Sequence, residues 1–205
     1  SLDALIVADY QPAGLFSDRT RLALNHLAAA HPGVHFVVDS RDSIGGFQHM
    51  ALKPNETEAA RYLFPGQAPE SVTPQALVEA ALQWQRQVRR PIVITQGAHG
   101  CLLVDGQVTH LPAVRVPPPI DPVGAGDTFL AALAAGLASG AWPWEACTLA
   151  NLAAAVTIRQ LRVTGTASPA QILRQFDAAT AAGAAHEPEA AQDGEQSATG
   201  DLSPR

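Results

Sequence analysis

Two glycines two residues apart, followed at once by a carboxylate, form the stretch best equipped for chemistry: Asp121-Pro122-Val123-Gly124-Ala125-Gly126-Asp127-Thr128-Phe129. Pro117, Pro118 and Pro119 bring the chain in extended, and an Ala/Leu run from Phe129 to Leu137 leaves it as a helix would. Glycine lets a backbone turn tightly and bring its N–H groups close to a ligand. A helix starting there aims its first unpaired N–H groups and the positive end of its dipole at one spot, which makes an anion site. A carboxylate inside an anion site suits phosphoryl transfer, where a hydroxyl must lose its proton beside the arriving phosphoryl group. Asp127 is the candidate general base, and the N–H groups of Gly124, Ala125 and Gly126 are the candidate stabilisers of phosphoryl charge. The plain alternative is a loop-to-helix turn in which a first-turn acid is favoured by the dipole alone. A dinucleotide fingerprint is excluded, because Phe129 stands at the third glycine position. A P-loop is excluded, because no Gly-Lys-Ser/Thr follows.

The full string resembles the C-terminal signature of the ribokinase-like (PfkB) carbohydrate kinases, Asp-x-x-Gly-Ala-Gly-Asp-x-Phe. Other segments carry the same resemblance over about residues 2–177. Lys53-Pro54-Asn55-Glu56-Thr57-Glu58 is similar to the family's Asn-x-x-Glu motif, which implies that Asn55 and Glu58 help place Mg²⁺ and phosphates through water. Mg²⁺ keeps waters and leans on substrate phosphates rather than on a closed protein cage. Thr95-Gln96-Gly97-Ala98-His99-Gly100 resembles the Thr-x-Gly-x-x-Gly turn against which ATP lies, so Thr95, Gly97 and Gly100 are implied in nucleotide binding. Asn151 stands where relatives border the adenine; its alternative is an Asn bonding helix to loop. Val163-Thr164-Gly165-Thr166-Ala167-Ser168-Pro169 resembles the turn near the family's monovalent-cation site, which the carbonyls of Asp121 and Val123 would complete. Arg162 departs from the pattern, since a Gly often lies there, and K⁺ binding stays open. Asp9-Tyr10 and Lys53-Pro54-Asn55 look most like sugar kinases related to heptose-phosphate kinases.

These residues need a scaffold. Short apolar runs at Leu2–Ala8, Val34–Val38, Met50–Leu52 and Pro91–Thr95 read as buried parallel strands. In open α/β sheets the C-terminal ends of such strands face the ligand crevice, which makes Asp9 a candidate substrate contact; its alternative is a loop acid. Ser17 is a candidate N-cap for a helix to about Ala30. Leu77, Ala81, Trp84 and Val88 fall on one face of a helix from Pro74 to Arg89, which places Trp84 in the core. Asp105-Gly106 between Cys101–Val104 and Gln107–Leu111 predicts a two-residue hairpin turn. Helices follow from about Gly126 to Ala138, from Pro143 to Ile158 and from Pro169 to Phe176. His99 reads as a surface residue and Cys147 as a small core residue. The expected fold is α/β, a three-layer α/β/α sandwich with a mostly parallel sheet. The resemblance implies a ribokinase-like fold lacking its N-terminal part and lid.

Length suits one domain: 205 residues with 47% hydrophobic residues support a real core. Residues 1–177 are expected to form the kinase core and 178–205 a disordered, acidic, Ala-rich tail, because large apolar side chains are almost absent there. The tail holds five acids and one base, a net −4 of the chain's −6, so the remainder is near neutral at −2. That argues against a nucleic-acid partner. No apolar run is long enough to span a membrane. Two cysteines without metal spacing, and no signal-peptide pattern, point to a reducing cytoplasm. The missing initiator Met and the match to only the C-terminal part of the family point to an incomplete chain. The expected activity is ATP- and Mg²⁺-dependent phosphorylation of a sugar or sugar-phosphate hydroxyl, with little turnover by this chain alone and a possible homodimer at full length. The alternatives are a non-catalytic nucleotide-binding scaffold, or a nucleoside or vitamin-precursor kinase of the same fold.

Overall fold

The computed structural model describes residues 2–11, 16–181 and 189–190. Its centre is a seven-stranded sheet whose strands lie in sequence order: β1 (Ala4–Asp9), β2 (His35–Ser40), β3 (Ala51–Leu52), β4 (Ile92–Thr95), β5 (Cys101–Val104), β6 (Val108–Leu111) and β7 (Glu189–Ala190). β1 to β4 pair parallel, and β5, β6 and β7 each pair antiparallel to the strand before. Strands β1 to β4 and β6 therefore point the same way, so the sheet is mostly parallel as expected.

Side chains on a strand alternate between faces with a period of two, and here each face has its own core. Phe36, Val38, Leu52, Ile92, Ile94 and Val104 join α1 (Asp18–Ala30), α2 (Glu56–Leu63) and α3 (Pro74–Val88) in one cluster. Val37, Ala51, Val93, Cys101 and Leu103 join α4 (Ala125–Ala138) and α5 (Pro143–Thr157) in the other. The alternation explains why these strands read as continuous apolar runs: both faces are covered. The result is the three-layer α/β/α sandwich. α4 lies over β1 and β2, and α5 over β5 and β6.

Local signals set the ends. Ser17 caps α1, its Oγ accepting from the Thr20 N–H. Thr73 caps α3, with Pro74 at the first helical position. Trp84 is buried on the apolar face of α3 and packs against Tyr62. Several bounds differ from expectation. The β5–β6 turn has three residues, because Val104 pairs with Val108, and Gly106 supplies the positive φ of 78°. The third strand shortens to Ala51–Leu52. The last helix, α6 (Pro169–Ala181), continues past Phe176 through an Ala-rich stretch that favours helix. Apart from the end of α6 and the two residues of β7, the expected tail 178–205 lies outside the described residues.

Gly100 ties this frame together. It adopts φ +94°, and a Cβ there would lie 2.1 Å from the Leu111 carbonyl oxygen. A side chain would force β5 and the end of β6 apart. Gly100→Ala is expected to cost at least about 3 kcal/mol, from clash and positive-φ strain together. Urea denaturation measures it; a loss below about 1 kcal/mol would show that the crossing relaxes freely.

Candidate active site at the C-terminal ends of the parallel strands

β1, β2, β3 and β4 all end on one side of the sheet, and the chain places its polar residues at those ends. Asp9 closes β1 and Tyr10 follows it; Asp39 and Ser40 close β2; Lys53, Pro54 and Asn55 follow β3; Thr95 closes β4. α4 crosses from the other layer with its N-terminus at the same edge, where Tyr10 Oη donates to Asp127 Oδ1 at 2.8 Å.

The start of α4 has the predicted tight turn. Gly124 sits at φ 79°, ψ −2°, and the Ala125 N–H donates to the Pro122 carbonyl at 3.1 Å. These are the features of a type II turn with glycine at its third position, which a residue with a Cβ adopts only under strain. This corrects one expectation. Of the three N–H groups expected to face an anion, that of Ala125 is used to close the turn. Gly126 and Asp127 follow it in the first helical turn, where N–H groups have no intrahelical acceptor. Asp127 is solvent-exposed and lies in the field of the helix dipole. The next residue, Thr128, places its Oγ1 3.0 Å from Oγ1 of the fully buried Thr157 at the end of α5, fixing this first turn against its neighbour.

A chain of side chains runs inward from Asp127. Tyr10 Oη lies 3.2 Å from Asp39 Oδ2 as well as 2.8 Å from Asp127. Asp39 Oδ2 is 2.7 Å from Lys53 Nζ, and the two residues are only 6% and 4% exposed. Burial, with the Asp39 and Asp127 carboxylates beside it, pushes the Tyr10 phenol far above the ordinary tyrosine range. It therefore stays protonated and acts as a donor.

Asp9 is corrected. It is 1% exposed and accepts from the Ser40 hydroxyl at 3.0 Å, while its carbonyl accepts from the Arg41 N–H. Alternation turns Asp9 into the layer that buries Val7, and Tyr10, one residue on, reaches the crevice. Asn55 and Glu58 form a reciprocal capping box at the start of α2: Glu58 N–H donates to Asn55 Oδ1 at 2.9 Å and Asn55 N–H to Glu58 Oε2 at 2.8 Å. Burial raises the Glu58 carboxyl above its usual range, opposed by the Asn55 hydrogen bond. Asn55 bridges to Thr95, whose N–H donates to the Pro54 carbonyl, so two of the expected nucleotide segments lie side by side. Gly97 opens a short 3₁₀ turn after them, and Gly100 ends it.

Asn151 points inward. It is buried, and its amide nitrogen donates to the Leu111 and Pro112 carbonyls at 3.1 and 3.2 Å, the helix-to-loop arrangement. Asp121 accepts from the N–H groups of Val123 and Arg162, both at 3.0 Å, and these donors hold its carboxyl below the usual range. The loop resembling a cation-site turn thus lies against the α4 approach, with Thr164 beside Gly124. Arg162 occupies its glycine-favoured place at φ 60°. Among the described residues no group of three or more His, Cys, Asp or Glu is placed to hold a metal ion.

Sequence reading gave a role to Asp127 and none to the side chains behind it, Tyr10, Asp39 and Lys53. The signal was present: all three lie at or just past strand ends, the same position that drew attention to Asp9.

Comparison with known proteins gives the family and the fold. The model of the pfkB family carbohydrate kinases matches residues 26–171. The bifunctional protein HldE of Bradyrhizobium diazoefficiens is 35% identical over 180 residues, covering 85% of this chain and 35% of that protein. HldE of a Caulobacter species is 34% identical over 163 residues, covering 78% of this chain and 33% of that one. The chain thus spans about a third of the curated relatives it matches. Among solved structures, ribokinase from Thermotoga maritima superposes with a TM-score of 0.66 at 21% identity, over 85% of this chain and 57% of its own. Arabidopsis thaliana ribokinase complexed with ribose and ATP gives 0.67 at 21%, over 85% and 55%.

The buried pair at this site has a measurable consequence. Lys53→Met leaves Asp39 charged and buried without its partner, and is expected to cost about 3–5 kcal/mol. The double change Lys53→Met/Asp39→Leu should cost less than Lys53→Met alone. Chemical denaturation of the two variants measures this; equal losses would mean that the pair is not coupled in the fold.

Proposed function

The chain belongs to the pfkB family of carbohydrate kinases, and from that membership we propose ATP-dependent phosphoryl transfer to a hydroxyl of a sugar or sugar phosphate, with Asp127 as general base. The observation that carries this reading is the position of Asp127. It stands in the first turn of α4, directly after the left-handed Gly124, at the edge where the parallel strands end. The sugar-phosphate option rests on the resemblance of Asp9-Tyr10 and Lys53-Pro54-Asn55 to kinases of that class.

In the proposed step the acceptor hydroxyl gives its proton to the Asp127 carboxylate as its oxygen attacks the γ-phosphorus of ATP. The bond from that phosphorus to the β–γ bridging oxygen breaks, and ADP leaves. The N–H groups at the start of α4, those of Gly126 and Asp127, face the charge on the transferring group. They are fixed before the reaction and need no reorganisation during it. Thr95, Gly97 and Gly100 would line the nucleotide, with Asn151 behind them as support for the end of β6. Magnesium, when bound, supplies neutralising charge to the phosphates, and Asn55 and Glu58 would meet it through water. The Asp121 and Val123 carbonyls are the proposed monovalent-cation ligands, and the Asp121 side chain holds the neighbouring loop.

Asp127→Asn tests the reading in a chain restored to the length of its pfkB relatives, since little turnover is expected of this chain alone. The substitution keeps size and hydrogen bonding but removes the base, so kcat is expected to fall by about 10²–10⁴, roughly 3–5 kcal/mol of barrier. The change acts on the chemical step, so ATP affinity by calorimetry should stay within about threefold. Coupled ADP release with a panel of sugars and sugar phosphates gives the rate. A folded variant that binds ATP and keeps more than about a tenth of kcat overturns the base assignment, since the expected loss is at least tenfold larger. ATP binding without transfer to any acceptor would favour a nucleotide-binding module instead.

A further inference from the structure

The phenol of Tyr10 has one proton and two carboxylates within reach, Asp127 Oδ1 at 2.8 Å and Asp39 Oδ2 at 3.2 Å. It cannot donate to both at once. Asp39 Oδ2 already holds Lys53 Nζ at 2.7 Å, so the phenol proton goes to Asp127 while Asp127 is ionised. If Asp127 takes up a proton, it becomes a donor and the phenol oxygen an acceptor. The phenol hydrogen then needs another acceptor, and Asp39 supplies it. Rotation of one O–H bond converts one arrangement into the other, with no movement of heavy atoms. A phenylalanine in this place could fill the space but could serve neither state.

We infer that Tyr10 is a positioning residue for Asp127, holding its carboxyl in one orientation in both protonation states, with Asp39 as the alternate acceptor and Lys53 as the fixed charge behind it. The inference rests on the reading of Asp127 as the base for its catalytic meaning, though the pairing itself does not. A base that changes protonation in each turnover needs a partner able to reverse its hydrogen bond. Otherwise the carboxyl is free to turn away when it becomes an acid, and the near-attack geometry is lost. Tyr10 suits that part because it stays neutral: burial and the two carboxylates raise it well above the ordinary phenol. The charged groups facing the network are Asp127 from α4, Asp39 from the end of β2, and Lys53 after β3. Glu58 of α2 faces it too and feels the charges of Asp39, Lys53 and Arg41, the last of these just after β2.

The test uses the whole chain in a Tyr62→Phe background, where Tyr10 is the single tyrosine, since the protein has two. NMR of ring-labelled tyrosine then reads Tyr10 alone. The expected result is no ionisation near the ordinary tyrosine value of about 10. Asp127→Asn and Asp39→Asn should each move the ionisation to lower pH, because each removes a negative charge that opposes the phenolate. In a separate Tyr10→Phe variant, three-bond couplings to the Asp127 carboxyl carbon should change from those of one rotamer to an average over several. The thermal midpoint of that variant should stay within a few degrees, roughly what a sub-kcal change produces. Ionisation at the ordinary value, no response to Asp127→Asn, or an unchanged Asp127 rotamer in Tyr10→Phe would each overturn the inference. Undiminished phosphoryl transfer by Asp127→Asn would instead fail the base assignment, and the NMR readouts would still decide the pairing.

Discussion

Lys53 and Asp39 must stay together out of water, and the site is built around that constraint. Taking two charges out of solvent costs several kcal/mol each, offset only when their geometry is close and their other hydrogen bonds are met. At 2.7 Å and almost fully enclosed, the pair locks the end of β2 to the segment after β3. Tyr10 reaches Asp39 from β1, and Ser40 beside Asp39 binds Asp9. Three neighbouring strand ends are thereby tied by side chains just where the parallel ladder stops. A helix arriving from the other layer can then meet a fixed surface, and it meets it through Asp127 and Tyr10.

Backbone conformation supplies the second half of the arrangement. Gly124 in the left-handed region turns the chain from its extended approach into α4 and spends the Ala125 N–H on that turn. Asp121 braces the approach from the other side through the Arg162 N–H. Arg162 at φ 60° is less favourable than glycine there by about 1 kcal/mol. Its neighbours hold it, and such residues persist where the surroundings over-determine them. The loop after α5 and the turn before α4 are therefore one unit, joined by a carboxylate and two N–H groups.

The fold was legible because its signals are local and repeated. Two-sided apolar strands, Ser17 and Thr73 caps, and the helical stripe of Leu77, Ala81, Trp84 and Val88 each specify an element without reference to the rest. The stretch around Asp127 was legible for the same reason, since a turn glycine and a first-turn acid act within a few residues. What could not be read was which side chains meet across the sheet. Tyr10 and Asp127 are 117 residues apart, and their contact depends on where α4 crosses β1. Strand alternation decided between Asp9 and Tyr10, and a one-residue slip in the register of β1 would exchange their roles. Asn151 was ambiguous because an amide can serve a ligand or a carbonyl equally well. Only the position of Leu111 and Pro112 shows what it binds.

Electrostatics then bears on what this end of the sheet can hold. Asp9, Asp39, Glu58 and Asp127 gather there against Lys53 and Arg41, an unpromising field for an anion if the charges are simply added. They do not act equally. Asp9 and Asp39 are buried and committed to Ser40, Lys53 and Tyr10, so their charge is offset at short range. Glu58 binds the backbone of its own helix start, and burial raises its carboxyl toward the neutral form. Of these four, Asp127 is the exposed acid, beside the N–H groups at the start of α4. On the proposed reading, a phosphoryl group approaches those N–H groups and meets a carboxylate placed to accept a proton from its attacker. Lysines added at this end would bind a phosphate more tightly, but they would lower the basicity of the carboxylate proposed to take the proton.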